Sequence, residues 1–355
     1  MTRALVTGAT GYVGARLVPR LLREGYAVRV LTRDPSRIQD REWAAAVEVV
    51  TGDARSGADL QAALREVDTA FYLIHSMDGQ GDFAARDRDL AFAFGRAANA
   101  CGLSRIVYLS GLHPSGRLSP HLASRVEVGE ILMSSGVPTS VVQAAVILGA
   151  GSASFEMLRH LTVRLPAMIT PKWLDNRIQP IAIADVLDHL LAAAKVAPDA
   201  NRTYDIGGPD VLTYREMIQR YAAVAGMRPR AILTVPVLTP HLASLWVGLV
   251  TPVPTGVAKP LVGSLVHEVV CAESDLTRSL GTTPSALISY DEAVRRALSG
   301  HAGSALPEPG EADPARLTAA DPAWAGDGGL ISALPLPHRV RRVLARDSRP
   351  GDRSP

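Results

Sequence analysis

The sequence predicts an α/β fold with a doubly wound parallel sheet, a smaller C-terminal lobe and a disordered tail. Short apolar segments rich in β-branched residues alternate with longer helical patterns over the first two thirds of the chain. These segments are apolar throughout, which indicates strands of a parallel sheet that is covered by helices on both faces. Right-handed connections between the strands then distribute the helices over the two faces.

The predicted elements follow one another in the order strand, helix, strand. The apolar segments predict strands at Ala4–Thr7, Ala27–Thr32, Val47–Val50, Thr69–Ile74, Arg105–Leu109 and Thr139–Gln143. The helical patterns predict helices at Val13–Arg23, Leu60–Arg65, Phe83–Ala100 and His121–Met133. Beyond residue 150 the pattern predicts a strand and helix over Gln179–Ala194, a strand at Arg202–Ile206 and a helix at Tyr214–Ala225.

The chain divides into three predicted regions. A core occupies residues 1–150, and a lobe over 151–300 is interleaved with the last core strands. Residues 301–355 are rich in Gly, Ala, Pro and charged residues without lasting periodicity, so this tail is predicted to be disordered. The apolar segment Val235–Val270, with Trp246 as its largest side chain, either lines a hydrophobic pocket or packs on the core.

Composition and charge exclude several classes of protein. The net charge is +2, so no general attraction to nucleic acid or to an anionic membrane is expected. Prolines interrupt the apolar segment 231–266, which therefore lacks the uninterrupted run that a membrane span needs. Two cysteines make no disulfide framework, and no signal-peptide pattern precedes the first strand, so a cytoplasmic location is expected. The sequence leaves the oligomeric state open.

A glycine series, TGATGYVG, joins the first strand to the first helix. Gly8 allows a tight turn, Gly11 lets the backbone approach a pyrophosphate, and Gly14 lets the helix pack closely against the first strand. The N-terminus of that helix offers free N–H groups and a partial positive charge to phosphates. Dinucleotide contacts are therefore predicted from Thr7, Gly8, Thr10, Gly11, Tyr12, Val13 and Gly14.

The spacing of this series, with LTRDPSR, VTGD, YLIHS and IVYLSG downstream in that order, resembles the short-chain dehydrogenase/reductase superfamily. The resemblance is closer to its atypical, NmrA-like or NAD(P)H-binding branch, which carries an extended-type C-terminal lobe, and it covers about residues 3–298. It implies a Rossmann core, an NAD(P)-dependent oxidoreductase activity and a small-molecule substrate held by the lobe.

The resemblance also assigns residues to the adenosine end of the cofactor. Arg33 stands where the superfamily binds the 2′-phosphate of NADP, and Arg37 follows one helical turn later. Asp34 is open to two interpretations, a cap for the next helix or a contact to the ribose hydroxyls of NAD. NADP is therefore expected, with NAD possible.

Three further positions are expected to contact the cofactor. Asp53, with Ala54 beside it, is similar to an adenine-contacting aspartate, although a role as turn or helix-capping residue is equally open. The end of the fourth strand is expected to contact the ribose through Ile74, His75 and Ser76. The segment QAAVI at 143–147 is similar to the strand beside the nicotinamide, with expected contacts from Ala145 and Val146.

The expected catalytic positions keep the superfamily's spacing but not its chemistry. Active relatives carry a serine after the fifth strand and a Tyr-x-x-x-Lys pair on the following helix, where the phenol transfers a proton and lysine lowers its pKa. Here Ser110 holds the serine position, and His121 and Arg125 hold the positions of the tyrosine and lysine. Ser119 and Pro120 start the helix at the same place.

Two functions from different classes remain open. In the first, the protein is an NADPH-dependent reductase of an apolar carbonyl compound, and His121 donates a proton or a hydrogen bond while Arg125 binds ribose hydroxyls. In the second, the protein is a sensor that holds NAD(P) without turning it over. An epimerase that uses bound NAD is disfavoured because the tyrosine is missing. No metal-site spacing and no G-x-S-x-G elbow occur.

Overall fold

A computed structural model of the protein describes residues 1–75, 82–114, 116, 118–235, 250–299, 313–318 and 320–325. The chain forms two compact units. The first comprises Met1–Ala145, Ala184–Gly207 and Cys271–Leu287, and the second comprises the described parts of Val146–Ile183, Gly208–Val270 and Ile288–Pro355.

The strands and helices have the following bounds. The strands are β1 Arg3–Thr7, β2 Ala27–Thr32, β3 Glu48–Thr51, β4 Thr69–Tyr72, β5 Arg105–Gly111, β6 Thr139–Ala144, β7 Ile147–Leu148, β8 Ala167–Pro171, β9 Arg177–Ile178, β10 Ile181–Ala182, β11 Arg202–Ile206, β12 Leu212–Thr213 and β13 Ala231–Val235. The helices are α1 Tyr12–Arg23, α2 Ser36–Gln39, α3 Gly57–Leu64, α4 Phe83–Ala100, α5 Pro120–Met133, α6 Ala153–Arg164, α7 Ile183–Ala194, α8 Tyr214–Val224, α9 Thr255–Ser264, α10 Asp275–Ser279 and α11 Tyr290–Ser299.

The first unit is built on a seven-stranded sheet in the order β11-β6-β5-β4-β1-β2-β3. All of its neighbouring strands are parallel, so the predicted doubly wound sheet is confirmed. The direction of strand order reverses between β1 and β4, and ligands of such sheets bind outside the carboxyl ends of the strands at this switch point. Residues of β4 and β6 are buried throughout, as expected of central parallel strands.

The helix starts in the two units follow local capping signals. The Ser119 hydroxyl accepts the N–H of Leu122 at 3.3 Å, and Pro120 occupies the first turn, so α5 begins where the sequence predicts. In the second unit, Thr213 and Glu216 form a capping box at the start of α8.

Several elements of the second unit were not predicted, among them α6, β8 and β13. Helix α6 begins at Ala153, where no helix was predicted. Strands β8 and β13 pair with each other in parallel. Apolar residues of α9 and the segment before it pack on Met157 and Leu161 of α6, so these residues of the lobe form core packing. Trp246 lies outside the described residues.

Part of the tail predicted to be disordered is described as turns in the second unit. Within it, the carbonyl of Ala315 accepts the N–H of Ala150 at 2.9 Å, and Ala315 and Ala325 are buried. Across the described residues, no helix has the length and apolar character that a bilayer span requires. In the same residues no group of three or more metal-ligating side chains occurs.

Candidate functional site

The turn after β1 forms a cradle that only glycine permits. Gly8 has a φ of +72°, and a Cβ added there would lie 2.7 Å from the carbonyl oxygen of Leu73. A Cβ added at Gly14 would overlap the carbonyl oxygen of Gly8. The N–H of Gly11 donates to that same carbonyl at 2.9 Å, which closes the turn. The predicted roles of Gly8 and Gly14 therefore agree with the backbone geometry, and the open cradle fits a dinucleotide pyrophosphate.

The N-terminus of α1 has no side-chain cap. Gly11 is the N-cap residue, and the first turn contains no acidic side chain. The first-turn N–H groups, which include those of Tyr12, Val13 and Gly14, have no partner within the helix, and the helix dipole gives them partial positive charge. This end of α1 therefore suits the cofactor's diphosphate.

The hydroxyl of Thr7 ties β1 to β4. It donates to the carbonyl of Phe71 at 3.1 Å and accepts the N–H of Leu73 at 3.2 Å, and Thr7 is fully buried. This side chain is occupied within the sheet, so only the backbone of Thr7 remains for a ligand. The carbonyl of Thr10 lies 3.5 Å from Nη2 of Arg41.

Two acidic residues near the expected adenosine end are engaged in local turns. Asp34 accepts the hydroxyl of Ser36 at 2.6 Å and its N–H at 3.1 Å, and the hydrogen bond from the hydroxyl lowers the pKa of this carboxyl. The structure therefore favours a turn-capping role for Asp34. Among the described residues, the exposed guanidinium of Arg33 makes no hydrogen bond or ion pair, although its charge helps to lower the pKa of Asp53.

Asp53 forms a turn with Arg55. Its carboxylate accepts the backbone N–H of Arg55 at 2.9 Å and pairs with Nη2 of the same residue at 2.7 Å. These hydrogen bonds lower the pKa of Asp53. The turn role is thus present, and the neighbouring Ala54 is buried in a core cluster that includes Leu60 and Phe94. Neither contact excludes an adenine contact, which remains a prediction.

The end of β4 brings a histidine to the carboxyl edge of the sheet. Ile74 packs against the core cluster, and Nδ1 of His75 is buried without a hydrogen-bond partner among the described residues. The ring centroid of His75 lies 6.0 Å from that of His121. Burial, followed by the charge of Arg125 and the nearby His121, lowers the pKa of His75. Ser76 lies outside the described residues.

Arg125 is fixed in place by groups from β5 and α5. Its Nη1 donates to the carbonyl of Leu109 at 3.2 Å, and its Nε donates to Nε2 of His121 at 3.4 Å. The Arg125 carbonyl accepts the hydroxyl of Tyr108 at 3.3 Å and that of Ser110 at 3.4 Å. The structure therefore brings the three predicted catalytic residues together. The carbonyl of Leu109 was not predicted, because no side-chain pattern reveals a backbone acceptor.

His121 is held as a neutral imidazole. Its Nε2 accepts from Arg125, so the ring proton resides on Nδ1 in this arrangement. Burial and the charge of Arg125 lower the pKa of His121 to about 3. At neutral pH this side chain therefore offers a neutral N–H donor and not an acid. Of the last two predicted contacts, Ala145 belongs to the first unit and Val146 to the second.

Comparison with known proteins assigns the chain to a family. Residues 8–136 match a family described as NAD(P)H-binding. A ceramide reductase of Caulobacter vibrioides is 30% identical over 235 residues, which cover 64% of this chain and 72% of that protein. The chain belongs to the NAD(P)H-binding family. A second relative, (4-alkanoyl-5-oxo-2,5-dihydrofuran-3-yl)methyl phosphate reductase of Streptomyces griseus, is 29% identical over 224 residues, 62% of this chain and 73% of the relative.

Solved structures share the fold of this chain. Triphenylmethane reductase of Citrobacter sp., complexed with NADP(H), has a TM-score of 0.63 at 20% identity and covers 84% of this chain and 100% of its own. The NADPH-dependent quinone oxidoreductase of Escherichia coli, complexed with NADPH, also has a TM-score of 0.63, at 21% identity over 82% of this chain and 98% of its own.

Proposed function

We propose that the protein is an NADPH-dependent reductase of an apolar carbonyl compound. The observation that carries this proposal is the position of Arg125, a cation held against the carbonyl of Leu109 and beside Ser110 and His121 at the carboxyl end of β5. The glycine cradle follows β1 of the same sheet. A reductase needs both features, a diphosphate cradle and a polar group for the substrate oxygen.

Each part of the cofactor has proposed contacts in this chain. The glycine cradle and the backbone of Thr7 and Thr10 take the diphosphate. Arg33 takes the 2′-phosphate, because its guanidinium is exposed and matches a phosphate bidentately, whereas Asp34 is engaged with Ser36. The remaining proposed contacts to adenine, ribose and nicotinamide are Asp53, Ala54, Ile74, His75, Ser76, Ser110, Arg125, Ala145 and Val146.

The catalytic proposal concerns the oxygen of the substrate. Bound NADPH supplies a hydride. The Nδ1–H of His121 donates a hydrogen bond to the substrate oxygen, Arg125 stabilises the negative charge that develops there, and the hydroxyl of Ser110 turns from the Arg125 carbonyl to the substrate oxygen when the substrate binds. Cys101 and Cys271 form no disulfide bond, which also fits a protein of the reducing cytoplasm, the proposed location.

Steady-state turnover tests this function directly. We expect NADPH consumption with one or more members of a panel of apolar carbonyl compounds, and a loss of turnover in His121→Phe with retained NADPH binding by calorimetry. Arg88→Gln provides a control, because this exposed arginine pairs with Glu127 on the surface. Turnover that is unchanged in His121→Phe would contradict the proposed role of the imidazole.

A second candidate is a sensor that binds NAD(P) without turnover. One observation favours it, namely that burial and Arg125 lower the pKa of His121 to about 3, so the position of the missing tyrosine holds no acid at neutral pH. Tight NADPH binding with no turnover on the full panel would support the sensor and contradict the reductase.

A further inference from the structure

We propose that the substrates of this site are conjugated carbonyl compounds, enones or quinones, whose reduction leaves a delocalised oxyanion next to Arg125. This inference rests on the proposed reductase function and names its substrate class. Two observations support it. The site offers hydrogen-bond donors to a substrate oxygen, and the described residues around it offer no acid that could protonate that oxygen.

The guanidinium of Arg125 is a cation held in place by hydrogen bonds, and it retains N–H donors for a ligand. Its Nη1 and Nε are held by Leu109 and His121, and the helix carbonyl of Arg125 is held by Tyr108 and Ser110. Among the described residues Nη2 has no hydrogen-bond partner. A donor fixed before the reaction stabilises a developing oxyanion without reorganisation, and a guanidinium suits a carboxylate-like or enolate-like oxygen.

His121 adds a donor but no transferable proton. Its Nε2 lone pair is occupied by Nε–H of Arg125, and a proton placed there would face the arginine's positive charge. The ring therefore presents a neutral N–H, which binds an oxyanion by hydrogen bonding. Transfer of that proton to the oxygen of an enolate would create an imidazolate, which is a stronger base than that oxygen.

The other titratable groups around this pair do not replace the missing acid. His75, whose ring lies 6.0 Å away, is neutral because burial lowers its pKa. The phenol of Tyr108 already donates to the Arg125 carbonyl, and burial raises its pKa. The carboxylate of Asp87 acts on Tyr108 in the same direction. At neutral pH these groups of the first unit therefore supply no ready proton.

The anion that hydride addition leaves on oxygen then decides which class of carbonyl compound this site can reduce. Hydride addition to the β-carbon of an enone forms a C–H bond, breaks the C=C π bond and moves its electron pair through the conjugated system to oxygen, which gives an enolate. Water later protonates the α-carbon. A quinone gives the hydroquinone monoanion in the same way. Hydride addition to a saturated ketone gives an alkoxide, a much stronger base that requires a proton donor in the transition state.

Two ketones that differ only in one double bond test this substrate class. We expect 4-phenyl-3-buten-2-one to be reduced by NADPH with a kcat/KM at least about 100-fold above that of 4-phenyl-2-butanone. This ratio corresponds to a difference of about 2.8 kcal/mol in activation free energy. With 4-deuterated NADPH, the label should appear at the β-carbon and the product should be the saturated ketone. A product labelled at the carbonyl carbon, or equal rates for the two ketones, would overturn the inference while leaving the reductase function intact.

A binding measurement tests the oxyanion site without turnover. We expect the complex with NADP⁺ to lower the apparent pKa of bound 4-nitrophenol by about one unit, measured by phenolate absorbance. Arg125→Met should abolish this shift, Arg125→Lys should retain part of it, and Arg88→Met should leave it unchanged. Absence of a shift in the wild-type complex would overturn the inference. No turnover of either ketone or of the carbonyl panel would overturn the proposed function, and the inference with it.

Discussion

Arg125 shows what can and cannot be predicted from the sequence for a single residue. The spacing from Ser119 and Pro120 is a local signal, and it correctly predicted the start of α5 and the separation of His121 from Arg125 by one turn. The contact between Arg125 and the carbonyl of Leu109 depends on how a helix packs on a strand, and no side-chain pattern encodes it. For the same reason, the sequence left Asp34 open between two roles until its bonds to Ser36 were known.

Replacement of Arg33 tests the choice of nucleotide. We expect Arg33→Ala to weaken NADPH binding by about tenfold, because one charge-assisted phosphate contact contributes about 1.5 kcal/mol, and to leave NADH binding unchanged. Calorimetric titration measures both dissociation constants. Arg65→Ala, which removes another exposed arginine at the end of α3, should alter neither. Equal losses for the two nucleotides would argue against a 2′-phosphate contact.

The state of His121 makes the reaction insensitive to pH where histidine ordinarily titrates. A folded-state pKa of about 3 means that the ring is already neutral at pH 5 and stays neutral as the pH rises. At saturating NADPH and substrate, we expect kcat to vary less than about twofold between pH 5.5 and 8.5. A fall in kcat with an apparent pKa near 6.5 that vanishes in His121→Gln would show that the imidazole is an acid.

At the scale of elements, hydrophobic periodicity predicted the helices and strands of the core but missed α6. Strand β2, helix α4 and strand β11 match their predicted bounds, because their apolar patterns agree with their burial. In α6 the charged residues Glu156 and Arg159 are buried and paired with each other. Charged residues on the buried face of α6 interrupt the apolar stripe that identifies an amphipathic helix in a sequence. The pattern therefore did not predict this helix.

The turn between β1 and α1 can be tested with two glycines that share a backbone conformation. Gly8→Ala places a methyl group against the carbonyl of Leu73 at a φ of +72°, so it should destabilise the protein by about 2 kcal/mol and abolish NADPH binding. Gly25→Ala, at a φ of +82° with open space around it, should cost about 1 kcal/mol and leave binding unchanged. Chemical denaturation and calorimetry measure the two effects, and wild-type affinity in Gly8→Ala would contradict the cradle.

The ion pair inside α6 provides a test of stability that is independent of the cofactor. Nη2 of Arg159 lies 2.7 Å from the carboxylate of Glu156, and both side chains are buried. Glu156→Gln removes the negative charge that faces the buried cation and should lower the free energy of unfolding by about 3–5 kcal/mol. The double variant Glu156→Gln/Arg159→Met should recover most of this loss in urea unfolding. Two additive losses would show that the charges do not act as a pair.

At the scale of the whole molecule, the doubly wound parallel sheet was predicted from the sequence, whereas the packing of residues 271–287 in the first unit was not. Residues 271–287 contain no apolar strand pattern, yet they join the first unit through polar contacts. The carboxylate of Asp205 accepts the N–H of Ala272 at 2.8 Å, and Nε2 of His189 lies 2.9 Å from the hydroxyl of Thr277. Contacts of this kind join residues far apart in the chain, and periodicity carries no information about them.

We propose above that the first unit holds NADPH through the glycine cradle and Arg33. Isothermal titration calorimetry of the full chain with NADPH and with NADH tests it most directly. We expect NADPH to bind at one site per chain, with an affinity at least about tenfold above that for NADH. A chain that is folded by circular dichroism and yet shows no saturable heat with either nucleotide would contradict it.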